Sequence, residues 1–418
     1  MNALVLKIVY LRKAIVNMAK ILITGNGFDL FHHLPTKYGH FMSIMKTIEG
    51  NNFSKDISFE DLFGSFFKDE NQIDYKLIVE NYKVAEFKFE VDKINDLKVS
   101  LHNNLWYKYF KNVIEIETWI DFEVEVENVL KQLSILLKSE TPQFKKINNY
   151  RDVPINYSDF CLFGIIEHKY DDKELFSIPD VYLDKRRLGI KIGHVLRDLS
   201  SSFESFIIIF NQYLINVLAV FYENKSHVQI IPFHLITEIY TFNYTPTLEK
   251  FYGIDKSKVV YLHGEMHENS EIQNLVFGVS EIPEDVKLAK AYDFAKYYQR
   301  IKKNSNKKFI KIPLDRTNRL NEAVFYIIGH SLDESDREYI KDLFKFLDFD
   351  KNEKAKICVF YQNDQDRENK LKNLFNIIDK NVIIEMNKVG RLYFVKLNIE
   401  NITKEFNRET YIKSHGFS

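Results

Sequence analysis

The stretch from Lys20 to Asp29 reads Lys-Ile-Leu-Ile-Thr-Gly-Asn-Gly-Phe-Asp, an apolar run of strand length that stops at two glycines one residue apart. A buried strand that must become a helix within a few residues needs backbone angles that a β-carbon resists, and Gly25 and Gly27 supply them. The bare turn would also let backbone N–H groups approach a phosphate or a ribose, with the positive end of the next helix behind them. Asp29 fits two roles, as cap of that helix or as partner of a ribose hydroxyl. The full dinucleotide fingerprint is not met, because Leu30 stands where a third glycine would be and only Glu49 is acidic at the expected offset. A tight turn without a ligand satisfies the same residues.

Six further apolar runs follow the same plan: 236–242 before Asn243, 258–262 before His263-Gly264, 275–277 before Gly278, 323–328 before Gly329-His330-Ser331, then 356–361 and 381–386. Seven short strands with helices between several of them predict an α/β fold, a Rossmann-like parallel sheet. Ligands of such sheets bind outside the carboxyl ends of the strands, where these polar and glycine residues stand.

Between the first two runs the apolar spacing is helical: Phe59, Leu62, Phe63, Phe66 and Phe67 form one face, and Phe203, Phe206, Phe210, Leu214 and Leu218 belong to another. Residues 45–235 are therefore expected to be a large, mainly helical insertion into a sheet domain made of 18–44 and 236–418. Residues 1–17 have neither a signal-peptide pattern nor the length to span a bilayer, and read as an extension or an added amphipathic helix. Inside the insertion, Trp119 and Glu123 share a helix face; a core Trp with a solvated acidic face and a carboxylate aimed at the glycine turn both fit.

The 58 Lys and Arg residues balance 59 Asp and Glu, so no global footprint for nucleic acid exists, and no membrane association is expected. The basic stretch from Arg300 to Lys311 reads as a solvated loop, with an anion-gripping patch as the alternative. Cys161 and Cys358 lie too far apart in sequence for a disulfide framework or a four-thiolate zinc site, and a reducing cytoplasm is the default compartment. His32, His33 and His40 lack an acidic ligand at metal-site spacing, so no metal is expected. Pro35 breaks the first helix, and Thr36 is a candidate cap for its restart.

Taken in order, Gly25-Asn26-Gly27-Phe28-Asp29 is similar to the glycine-rich opening of sirtuin-like NAD-binding domains, Thr241-Phe242-Asn243-Tyr244 to their asparagine-bearing strand end, His263-Gly264 to their catalytic His-Gly, and Gly329-His330-Ser331-Leu332 to their late Gly-Thr-Ser-Leu. The first stretch, continued through Leu34-Pro35-Thr36 to Phe41, and the Trp119 to Glu123 segment resemble the bacterial abortive-infection family AbiH. Two cysteines cannot build the four-cysteine zinc module of sirtuin deacylases, which argues against protein deacylation. Asn26 replaces the usual Ala, and Thr245 stands where prokaryotic relatives often have Asp.

The resemblance implies a sirtuin-like sheet that holds NAD as substrate or ligand through Gly25, Asn26, Gly27, Phe28, Asp29, Gly329 and Ser331. Asn243 would bond the ribose and the attacking water, and His263, titrating near neutrality, would be the general base. The preferred expectation is an antiphage effector that hydrolyses the nicotinamide–ribose bond of NAD or attacks a related nucleotide. The alternatives are a nucleotide-binding sensor or assembly module without turnover, and a toxin acting on nucleic acid. A phage-derived trigger and a homo-oligomer are the expected partners.

Overall fold

The computed structural model describes residues 19–113, 119–138, 157–168, 176–184, 189–228, 231–269, 272–305, 307–310, 323–347 and 355–408. The extension 1–17 and Lys311 lie outside them. The centre is a six-stranded sheet of β1 (Ala19–Thr24), β2 (Glu238–Thr241), β3 (Val259–Tyr261), β4 (Ala323–Ile328), β5 (Lys356–Tyr361) and β6 (Leu392–Lys396). The strands are all parallel, in the order β6-β5-β4-β1-β2-β3. The strand order is that of the doubly wound Rossmann-type sheet, whose direction of winding reverses between β1 and β4, the position where such sheets open a crevice. Thr24 pairs in register with Thr241 on one side and Ile328 on the other, so the three central strands end level at that crevice.

Alternation across the pleat builds two cores. Ile21 and Ile23 meet Leu343, Leu374 and Met386 from the helices Arg337–Phe346, Asp364–Ile377 and Lys380–Lys388. Leu22 points the other way, toward Phe28, Phe233 and Phe406. Two of the seven expected strands are not strands. Residues 381–386 lie in the helix Lys380–Lys388, where Ile383 and Met386 are buried three apart and Ile384 is exposed. Residues 275–277 are a buried irregular segment: Phe277 gives its N–H to, and takes a bond at its carbonyl from, the Gln299 side chain instead of a neighbouring strand.

Among the described residues, 45–235 contributes no strand to this sheet. It holds helices and two antiparallel pairs of two-residue strands. Their core is aromatic: Phe122 sits 4.7 Å from Phe110 and 5.7 Å from Phe206, ring centre to ring centre, and such pairs add about 0.5–1.5 kcal/mol each beyond burial. Phe59, Phe63, Phe67, Phe203 and Phe206 belong to the same core, together with Leu275, Phe277 and Phe294 from the segment after β3. The helical run Ile192–Glu223 is long and apolar enough to cross a membrane, yet 56% of its apolar window is buried inside the protein. A single π turn, Leu214–Leu218, interrupts it beside the crevice.

Candidate active site

A cavity of about 350 Å³ opens at the carboxyl ends of the central strands. Its floor is the meeting of two turns. After β1 the Gly25 N–H donates to the Ile328 carbonyl at 3.1 Å and the Gly27 N–H to the Gly329 carbonyl at 2.8 Å. Gly329, the first residue past β4, has φ +72°, and a β-carbon on it would lie 2.0 Å from the Phe28 nitrogen. A β-carbon on Gly27 would meet Gly329 Cα at 2.8 Å. The glycines are thus demanded by main chain packed on main chain.

One wall carries a chain of charged and polar groups. Gly264 (φ +83°) turns the chain just after His263, and the His263 carbonyl is held by the Val276 N–H at 2.8 Å. The turn after β4 folds back through Leu332, whose φ is +58°, and brings Asp336 over the cavity. Asp336 Oδ1 lies 3.0 Å from His263 Nε2, and Asp336 Oδ2 lies 3.3 Å from His330 Nε2. His330 Nδ1 accepts the Leu332 N–H at 2.9 Å, so its proton is on Nε2 and faces Asp336. The His263 contact is close but not aligned as a hydrogen bond, so the buried Nε2 meets Asp336 as an ion-pair neighbour only. Phe242 wedges both imidazoles, 5.1 Å from His263 and 4.2 Å from His330.

Behind Asp336 sits the buried Lys296 ammonium, 3.9 Å from Asp336 Oδ1 and 2.6 Å from Glu123 Oε1. Glu123 arrives on the helix Trp119–Lys138; Phe122 is locked in the aromatic core, and the next residue faces the cavity. Burial pushes Glu123 up to about 7 against the pull of Lys296. Asp336 is also penalised by burial, but Lys296 and His263 outweigh this and hold it well below the usual carboxylate range. Burial lowers His263 more than Asp336 raises it, so the imidazole is neutral near neutrality. A neutral imidazole beside an ionised carboxylate is the ground state of a general base.

Asn243, just past the end of β2, lines the same cavity beside Asp29. Asp29 accepts the hydroxyls of Thr245 at 2.5 Å and Thr247 at 2.6 Å. Farther along the crevice, past the end of β5, Lys370 pairs with Asp366 at 2.5 Å.

A family model described as "Bacteriophage abortive infection AbiH" matches residues 21–361. This chain belongs to the AbiH family. Membership places it among proteins of bacteriophage abortive infection, and the matched region spans the glycine turns, Glu123, Asn243, His263, Lys296 and Asp336. No curated protein and no solved structure matched the chain.

Of the residues singled out from the AbiH sequence, Gly25, Asn26, Gly27, Asp29, Asn243, His263, Gly329 and Ser331 line the one cavity. Phe28 does not; it is buried on the β1 side of the sheet against Phe233 and Tyr252. Asp29 is not the helix cap. Gly25 holds that position, and the Asp29 carboxylate spends both oxygens on threonines. In the first turn the N–H groups of Gly25, Gly27 and Phe28 bond protein carbonyls. Lys37, not Thr36, precedes the second helix, Tyr38–Gly50. Of the three early histidines, His32 bonds the Phe28 carbonyl and Tyr252, while His40 meets Asp74.

The sequence assigns no role to Asp336, Lys296 or His330, and Glu123 fits two readings. His330 lay within a quoted motif. Asp336 could have been suspected as a carboxylate opening the helix Arg337–Phe346, but nothing local ties it to His263.

Burial raises Asp29 from 3.8 to about 7, against its threonine bonds. A carboxyl that holds its proton more tightly when folded favours the folded state fully below about pH 4, and this contribution is lost as pH rises to about 7. The unfolding free energy of the wild type should therefore fall, relative to Asp29→Asn, across that window. Denaturant titrations at pH 4, 5.5 and 7 would show it, and a pH-independent difference between the two would refute it.

Proposed function

We propose that this AbiH protein hydrolyses the N-glycosidic bond between nicotinamide and ribose in NAD, or the equivalent bond of a related nucleotide, and so halts an infected cell. The observation that carries the reading is that the His263–Asp336 pair and Asn243 line one cavity at the point where the strand order reverses. The sirtuin-like order of motifs agrees with it, as does the parallel sheet with its crevice between β1 and β4.

The chemistry asks for few groups. Water oxygen bonds to the ribose anomeric carbon, the bond to the pyridinium nitrogen breaks, and its electron pair leaves with nicotinamide as a neutral ring. His263 Nδ1 takes the water proton, with Asp336 stabilising the imidazolium that forms. Asn243 holds a ribose hydroxyl and the water, which converts part of the barrier into prior positioning. Such an enzyme would work in the cytoplasm, where NAD is abundant, under a trigger that appears on infection.

The basic stretch favours nucleic acid less than its composition suggested. Arg300 is buried against Tyr339 and Glu338, Lys302 meets Glu204 and Asp293, and Lys303 bonds the Leu275 carbonyl. The decisive experiment mixes purified protein with NAD, with and without phage-infected lysate, and follows nicotinamide release. Stoichiometric loss of NAD is expected. Binding of NAD with no release under either condition would replace the hydrolase by the sensor or assembly module.

A further inference from the structure

The cavity wall has an excess of acid. Its lining includes the carboxyl groups of Asp29, Glu123, Asp336 and Asp366 against one ammonium, Lys370. Three of the four are accounted for: Asp29 by two threonine hydroxyls, Asp366 by Lys370, and Asp336 by Lys296 and two histidines. Glu123 Oε1 shares Lys296 with Asp336, and Glu123 Oε2, like Asp336 Oδ1, is buried without an aligned hydrogen bond among the described residues; Asp336 Oδ1 has cationic or imidazole neighbours at 3.0 and 3.9 Å, whereas the closest ion-pair contact of Glu123 is made by its other oxygen. A buried carboxyl oxygen left open is expected where a ligand completes the arrangement. One ammonium between two carboxylates leaves one negative charge on the wall whenever both are ionised.

We propose that Glu123 selects a ligand whose reacting ring is cationic, the pyridinium of NAD over the neutral ring of its reduced form. The inference rests on the NAD reading of this cavity and adds to it the electrostatic determinant. A charge felt across a few ångströms of low-dielectric wall acts without contact, and its removal should change the preference by roughly 10- to 100-fold. The same charge favours the positive sugar ring that develops as the bond breaks.

Several groups face Glu123: Lys296 from the helix Lys296–Lys302, Ser335 and Asp336 from the turn after β4, and Tyr244 after β2; His263 lies one step farther, through Asp336. Against burial, Glu123 and then Asp336 hold Lys296 charged through neutrality, and Lys296 with His263 holds Asp336 ionised. Glu123 and Asp29, each raised by burial to about 7, are the lining carboxyls that change charge there, and comparing wild type with Glu123→Gln isolates the share of Glu123. Affinity for the cationic ring should then rise with pH through neutrality, while affinity for the reduced form should not.

The test is calorimetric binding of NAD and NADH to the full chain at pH 6 and pH 8, for wild type, Glu123→Gln and Glu123→Asp. Wild type should prefer NAD, more so at pH 8; Glu123→Gln should bind the two alike at both pH values, and Glu123→Asp should keep the preference. A folded Glu123→Gln with an unchanged ratio overturns the proposal. So does a wild-type ratio that is the same at both pH values, which keeps the proposal open to refutation if the glutamine variant fails to fold. Wild type that binds NAD without preferring it removes Glu123 alone, whereas wild type that binds neither form removes the NAD reading as well.

Discussion

His263→Ala should lower nicotinamide release by about 10²- to 10⁴-fold while leaving NAD binding in place, because proton transfer to a positioned base contributes about that much. Asp336 stands 3.0 Å from Nε2, so the base of the proposed reaction is the other ring nitrogen, Nδ1. The pH profile gives an independent check. Burial holds His263 below its ordinary value despite Asp336, so the acid limb of the wild-type rate should fall on the acid side of 6.5. The limb should vanish from the residual rate of the variant. A folded His263→Ala protein as active as wild type would remove the base from His263.

Gly329→Ala should be among the most damaging single methyls at the described glycines. The left-handed backbone alone costs an alanine about 1–2 kcal/mol, and forcing a β-carbon against a main-chain atom adds about 1–3 kcal/mol, so the unfolding free energy should drop by about 2–5 kcal/mol. The new carbon would start 2.0 Å from the Phe28 nitrogen and 2.4 Å from the Gly27 carbonyl carbon, neither of which can swing away like a side chain. Gly390 is the control. It has nearly the same φ, +70°, but open space around it, so Gly390→Ala should cost only the backbone part. Equal losses for the two variants in denaturant unfolding would mean that the turns are not tightly interlocked.

The parts of the fold that could be read in advance are those where one local pattern had one physical solution. The unbroken apolar run of β4 and the similar run of β5 leave little but a buried parallel strand, and both occupy the expected residues. Residues 381–386 are as apolar but too short for the pattern to distinguish strand from helix. Asp379, which caps that helix through the Asn381 N–H, was the clue that periodicity missed. At the cavity, Asn243 and His263 stood out because they follow strands directly. Lys296, Glu123 and Asp336 did not, because they come from two helices and a short turn whose meeting is set by aromatic packing across the whole chain. The basic stretch misled for the same reason: Arg300 and Lys303 read as solvated charges, yet tertiary partners draw both inward.

The floor of the cavity is built from main chain, and that restricts how a protein of this plan can change its ligand. Gly25, Gly27 and Gly329 offer no side chain to exchange, and adding one breaks the junction of the two central turns. New specificity has to be written on the walls, at positions such as Glu123, Asn243 and Gln362, which stand on separate stretches of the chain and can vary one at a time. The junction is a fixed socket, and the walls are its interchangeable lining.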